Sequence, residues 1–146
     1  MRTETIHVRD IPAGEVRLLQ NETADDQLRA RVKQDRFLHA PALLDVEVTS
    51  AIRGLLLTSK PDVGISRERS EQMLDDFADL PVVRHPMRTH QHRVLTRRAN
   101  FTAYDAFYVA LSESLELPLL TDDRKFAKAV GNITTIEECP AVPESG

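Results

Sequence analysis

A chain of 146 residues, 41% apolar and with a formal net charge of −4, has the size and apolar content for one core. It lacks the global basic field that draws a protein to nucleic acid or to anionic membranes. Cys139 is the only cysteine, which excludes an intrachain disulfide and fits a reducing cytoplasm. No apolar run approaches the length of a membrane span, and residues 1–7 lack the apolar centre of a signal peptide.

Taken in order, residues 5–10 alternate as a short strand that ends at Asp10. Pro12 and Gly14 follow, then a weak helical pattern through Val16, Leu18 and Leu19. Residues 23–33 read as a better helix, with Thr23 as N-cap, acids in the first turn and bases in the last. Residues 37–41 form a brief strand stopped by Pro41. The most regular helix covers residues 42–57. Leu44, Val48, Ala51, Ile52 and Leu55 make an apolar stripe there, and Asp45, Thr49 and Arg53 line the opposite face.

After a turn around Pro61 and Gly64, Ser66 caps a helix whose expected buried positions are Met73, Leu74, Phe77 and Leu80. A strand over 81–85 ends at Pro86, and 89–99 reads as a helix thin in apolar residues. Thr102-Ala-Tyr-Asp105 opens a strongly apolar helix that runs to about residue 113. A strand over 117–121, a helix over 124–130 and a strand over 133–136 follow. A single domain is expected over 1–138, with a flexible Pro-rich tail over 139–146. Strands alternating with helices predict an α/β fold: a three-layer α/β/α domain on a short, mainly parallel sheet. In such sheets, sites form at the carboxyl ends of the strands.

Acids stand at those ends, and each has an ordinary structural explanation. Glu47 sits at the edge of the apolar stripe, where its stem packs and its head reaches water. Asp105 suits a capping box and the helix dipole. Asp122 and Asp123 suit an N-cap between strand and helix, and Asp10 suits a turn. It is their combination that points to chemistry. A parallel sheet brings Asp10, Asp105 and Asp123 to one edge, with Glu47 leaning over them. Carboxylates gathered in that way repel one another and call for a divalent cation. Oxygen ligands without supporting His or Cys suit Mg²⁺ or Mn²⁺ rather than zinc, and such sites cut or transfer phosphodiesters.

Residues 81–101 hold Arg84, Arg88, Arg93, Arg97 and Arg98, three histidines and no acid. This asymmetry in a net-acidic chain fits an RNA phosphate backbone; it fits equally a solvated helix face or a patch for an acidic protein partner. His90 and His92, two apart on a helix, point away from each other and make a poor metal pair.

From His39 onward the chain resembles the PIN-domain ribonucleases, specifically the toxins of VapBC-type toxin–antitoxin pairs. Three segments carry the resemblance: His39-Ala-Pro-Ala-Leu-Leu-Asp-Val-Glu47-Val, Asn100-Phe-Thr-Ala-Tyr-Asp105-Ala-Phe-Tyr-Val-Ala-Leu, and Leu119-Leu-Thr121-Asp-Asp123-Arg. The resemblance implies a Mg²⁺- or Mn²⁺-dependent endoribonuclease with Asp10, Glu47, Asp105 and Asp123 holding the metal. Thr121 and Asp122 would support that site. It also implies an RNA substrate, a cognate antitoxin and a homodimer. The opening motif departs from the family pattern of an apolar strand followed by Asp, any residue, and Ser or Thr. Arg9 interrupts the strand, and Pro12 stands where the hydroxyl belongs. That departure supports an alternative, a catalytically impaired PIN domain that binds antitoxin or RNA. A small α/β phosphatase or receiver-like domain also uses acids at strand ends, but this chain has no phosphate-binding glycine loop.

Overall fold

The computed structural model describes residues 4–7, 37–121 and 136–138. Strand β1 (Glu4–His7) lies at the centre of a five-stranded sheet. The other strands are β2 (Phe37–Pro41), β3 (Val82–His85), β4 (Leu119–Thr121) and β5 (Ile136–Glu138). The order is β3-β2-β1-β4-β5, and every neighbouring pair is parallel. Ile6 pairs with His39 on one side and with Leu119 on the other. All strands therefore end at one edge.

Both faces of the sheet are covered. Side chains on a strand alternate between faces, yet Leu38, His39, Ala40 and Pro41 are buried in succession, as are Leu119 and Leu120. A run of consecutive buried residues is the mark of a parallel sheet with helices on both sides. The three-layer α/β/α architecture expected from the alternation of elements is the one observed.

Helix α1 (Leu43–Leu57) starts two residues beyond β2 and buries Leu44, Val48 and Ile52, with Ala51 and Leu55 packed at the border of the core. Helix α2 (Arg67–Ala78) begins at Ser66, whose Oγ accepts the Arg69 backbone N–H at 3.1 Å. Met73 and Phe77 are buried as expected. Leu74 is not: it is 41% exposed, because the residue next to Met73 lies about 100° further round the helix. Leu80 falls beyond the helix end and is packed against the core from the following turn.

The helix expected over 89–99 is broken in two. A 3₁₀ turn, Arg88–His90, leads into the six-residue helix α3 (Gln91–Thr96), where only Val94 is buried. One buried anchor supports little more than a single turn of packed helix. His90 is half-buried in this segment. Desolvation first, and the Arg93 charge second, hold its pKa below the ordinary histidine value of 6.5. The unfolded chain then binds more protons than the fold between the two values. This contribution to stability is present above about pH 6.5 and is lost as pH falls below it. Thermal melts over about pH 5 to 8 are expected to show that slope in the wild type and a shallower one in His90→Gln.

Helix α4 (Ala103–Leu115) carries most of the remaining core. Ala106, Tyr108, Val109, Ala110, Leu111 and Ser112 are all buried, since the helix lies between the sheet and α3. The last strand, β5, begins at Ile136, where the strand expected from the sequence ends. The weak helical pattern through Val16, Leu18 and Leu19, the helices expected over 23–33 and 124–130, and the tail lie outside the described residues. Among the described residues no helix is long and apolar enough to cross a membrane.

Candidate active site at the carboxyl edge of the sheet

Chain direction decides where the acids fall. Helix α1 leaves the carboxyl end of β2, so its second turn, with Glu47, stays near that edge. Helix α4 leads into the amino end of β4 and packs against β1, β2 and β4. Its own amino end therefore lies near the same edge, and Asp105 occupies its first turn.

A direct bond links the two helices. The Tyr108 hydroxyl donates to Glu47 Oε1 at 2.7 Å, across 61 residues of sequence. Tyr108 is 0% exposed and Glu47 is half-buried. The carboxylate head thus takes a hydrogen bond from a buried phenol, where the sequence alone suggested a head reaching water. Tyr108 was not among the expected site residues, although two signals for it exist. A buried tyrosine needs a partner for its hydroxyl, and position 108 lies one turn from Asp105 on the same helix face.

Asp105 is anchored by its backbone. Its N–H donates to Thr102 Oγ1 at 3.3 Å, which is half of the expected capping box. Since Tyr108 reaches Glu47, the α4 face that carries Asp105 is the one turned toward α1. Thr121 is the last residue of β4, beside the central strand. Asp10, Asp122 and Asp123 lie outside the described residues. Among the described residues, no three or more His, Cys, Asp or Glu side chains come together as a metal-binding group.

No family model matches the chain. Individual proteins do. Ribonuclease VapC12 of Mycobacterium tuberculosis is 36% identical over 108 residues, which cover 74% of this chain and 81% of that protein. The chain belongs to the VapC ribonuclease family. Solved structures agree at the level of fold. PAE2754 from Pyrobaculum aerophilum superposes with a TM-score of 0.61 at 22% identity, over 93% of this chain and 92% of that one. A chain of the DNA-bound VapBC structure from Salmonella typhimurium superposes with a TM-score of 0.60 at 15% identity, over 96% and 100%. The PIN-domain, VapC-type resemblance read from His39 onward is thereby borne out.

In this VapC-family chain the arginines of the basic segment divide into two groups. Arg84 Nη2 lies 2.9 Å from Asp45 Oδ1, Nη1 donates to the Val82 carbonyl at 3.0 Å, and the guanidinium sits 5.2 Å from the Phe77 ring centroid. Arg97 and Arg93 both pair with Glu113. Arg88 and Arg98 are exposed, and neither forms an ion pair among the described residues; Arg98 donates one bond to the Leu95 carbonyl. The segment has no acid of its own, but α1 and α4 supply two.

Proposed function

We propose that this VapC-family protein is a Mg²⁺- or Mn²⁺-dependent endoribonuclease and the toxin of a toxin–antitoxin pair. Its RNA-cleaving site would consist of Asp10, Glu47, Asp105 and Asp123, with Thr121 and Asp122 in support. The observation that carries this reading is the Tyr108–Glu47 bond, because it joins the helix bearing one acid to the helix bearing another at the carboxyl edge of the sheet. The donors available there from Glu47 and Asp105 are carboxylate oxygens, which fits a hard divalent cation. Such a cation, when bound, generates a nucleophilic hydroxide and neutralises charge on the scissile phosphate.

The chain's own residues do the remaining work. The capped first turn of α4 fixes the backbone of Asp105. Arg88 and Arg98 keep exposed charge for an RNA backbone, whereas Arg84, Arg93 and Arg97 are engaged by Asp45 and Glu113. An antitoxin partner is supported by the likeness to a chain of a VapBC assembly. A homodimer and a cytoplasmic location complete the reading.

Purified protein is expected to cleave RNA with Mg²⁺ or Mn²⁺, to stop when the metal is chelated, and to resume when it is restored. Undiminished cleavage in chelator would refute the metal-dependent site. RNA binding without cleavage under either metal would favour the second reading, a catalytically impaired binding module, which Arg9 and Pro12 in the opening motif support.

A further inference from the structure

We infer that Tyr108 is a positioning residue for Glu47, fixing one carboxylate relative to the helix that carries another. The inference rests on the four-carboxylate reading above and adds to it a residue that does not itself bind the metal.

The interior around position 108 would be filled by a phenylalanine as well as by a tyrosine. Tyr108 is fully buried, so its hydroxyl has given up water, and it is compensated by Glu47 Oε1 at 2.7 Å. A hydrogen bond between a phenol and a carboxylate is charge-assisted and among the stronger kinds. It also acts at the far end of a long side chain. Glutamate reaches its carboxylate through three rotatable bonds, and a half-buried head without a fixed contact samples several rotamers. A carboxylate accepts several hydrogen bonds at once, so a bond from a phenol is compatible with a place beside a cation.

The geometry also couples two acids. Asp105 and Tyr108 are three residues apart on α4, on one face of a helix whose neighbouring turns are locked into the core by Ala106, Val109 and Ala110. The bond from Tyr108 thus refers the head of Glu47 on α1 to the same rigid body that carries Asp105. Groups that orient metal-ligating side chains in this way tune affinity without touching the ion. The chemistry at stake is the spacing of two oxygen donors around one divalent cation.

The test uses the full chain and Mn²⁺ as the probe. Binding is followed by titration calorimetry and by the electron paramagnetic resonance signal of bound Mn²⁺, with folding checked by circular dichroism and thermal melts. Tyr108→Phe keeps the ring and removes only the hydroxyl. It is expected to remain folded, to bind Mn²⁺ roughly 10- to 100-fold more weakly, and to change the bound-Mn²⁺ spectrum. Glu47→Gln is expected to lose most of the binding. Adding Tyr108→Phe to Glu47→Gln is expected to weaken binding no further, because the two act through one carboxylate. A purely structural role for Tyr108 predicts a lower melting temperature with unchanged Mn²⁺ affinity and spectrum. That outcome, with Glu47→Gln still defective, would overturn the positioning role and leave the metal site standing. Wild-type binding by Glu47→Gln would instead overturn the metal-site reading, and this inference with it.

Discussion

Asp105→Asn is expected to reduce RNA cleavage about a thousandfold while leaving the fold in place. A divalent cation contributes several kcal/mol of transition-state stabilisation, and each ~1.4 kcal/mol is a factor of ten in rate. Loss of one charged ligand removes a large part of that. The structural role of position 105 survives the change. The cap bond runs from its backbone N–H to Thr102 Oγ1, and asparagine keeps that N–H. Asparagine has nearly the same shape, and losing a negative charge in a first helical turn costs about 0.3–1 kcal/mol through the helix dipole. If the four carboxylates gather as proposed, part of that is offset in metal-free protein by relief of their repulsion. Melting temperatures in chelator are therefore expected to agree within a few degrees. With Mg²⁺ added, the wild type should gain stability by ligand linkage and the variant should gain less. Equal cleavage by the two proteins would remove Asp105 from the site.

What the sequence revealed, and what it did not, divides by distance along the chain. The Ser66 and Thr102 caps were legible because each side chain acts on a residue three positions away. The stripe of Leu44, Val48 and Ile52 was legible because one helix face has a fixed period. Alternating strands and helices implied a parallel sheet, but not that β1 would pair with both β2 and β4. Local pattern also over-reached: Leu74 fits an apolar run yet lies off the buried face, and 89–99 had too few apolar anchors to stay one helix. The contact that gives the candidate site its character was out of reach for a different reason. Tyr108 meets Glu47 across 61 positions. Residue type and spacing mark Tyr108 as a residue in need of a partner near Asp105, but nothing within a window says that the partner is Glu47. The basic segment shows the same blindness with more consequence. Counting charges along residues 81–101 finds no acid, while folding brings Asp45 to Arg84 and Glu113 to Arg93 and Arg97.

That pairing gives the second large effect. Arg97→Ala is expected to destabilise the protein by about 2–3 kcal/mol, whereas Arg88→Ala and Arg98→Ala should each stay within about 0.5 kcal/mol. Glu113 and Arg97 are only 10% and 14% exposed, so their attraction is little screened by solvent. Removing the arginine leaves a largely buried carboxylate with Arg93 alone, at 3.4 Å and 49% exposed. Breaking a buried pair is costly chiefly because of the charge left behind, and the remaining contact from Arg93 keeps the loss below that of a fully orphaned ion. For a domain of this size the shift in melting temperature should be roughly 10 °C. Glu113→Gln removes that stranded charge and is expected to be milder. RNA binding should sort the same residues in reverse. If Arg88 and Arg98 contact phosphates, each alanine variant should lower the slope of log affinity against log salt by about one. Arg97→Ala should leave that slope unchanged in the fraction that remains folded. An unchanged melting temperature for Arg97→Ala together with a reduced salt slope would reverse the assignment: the ion pair with Glu113 would then be incidental, and Arg97 would belong to the RNA-binding surface.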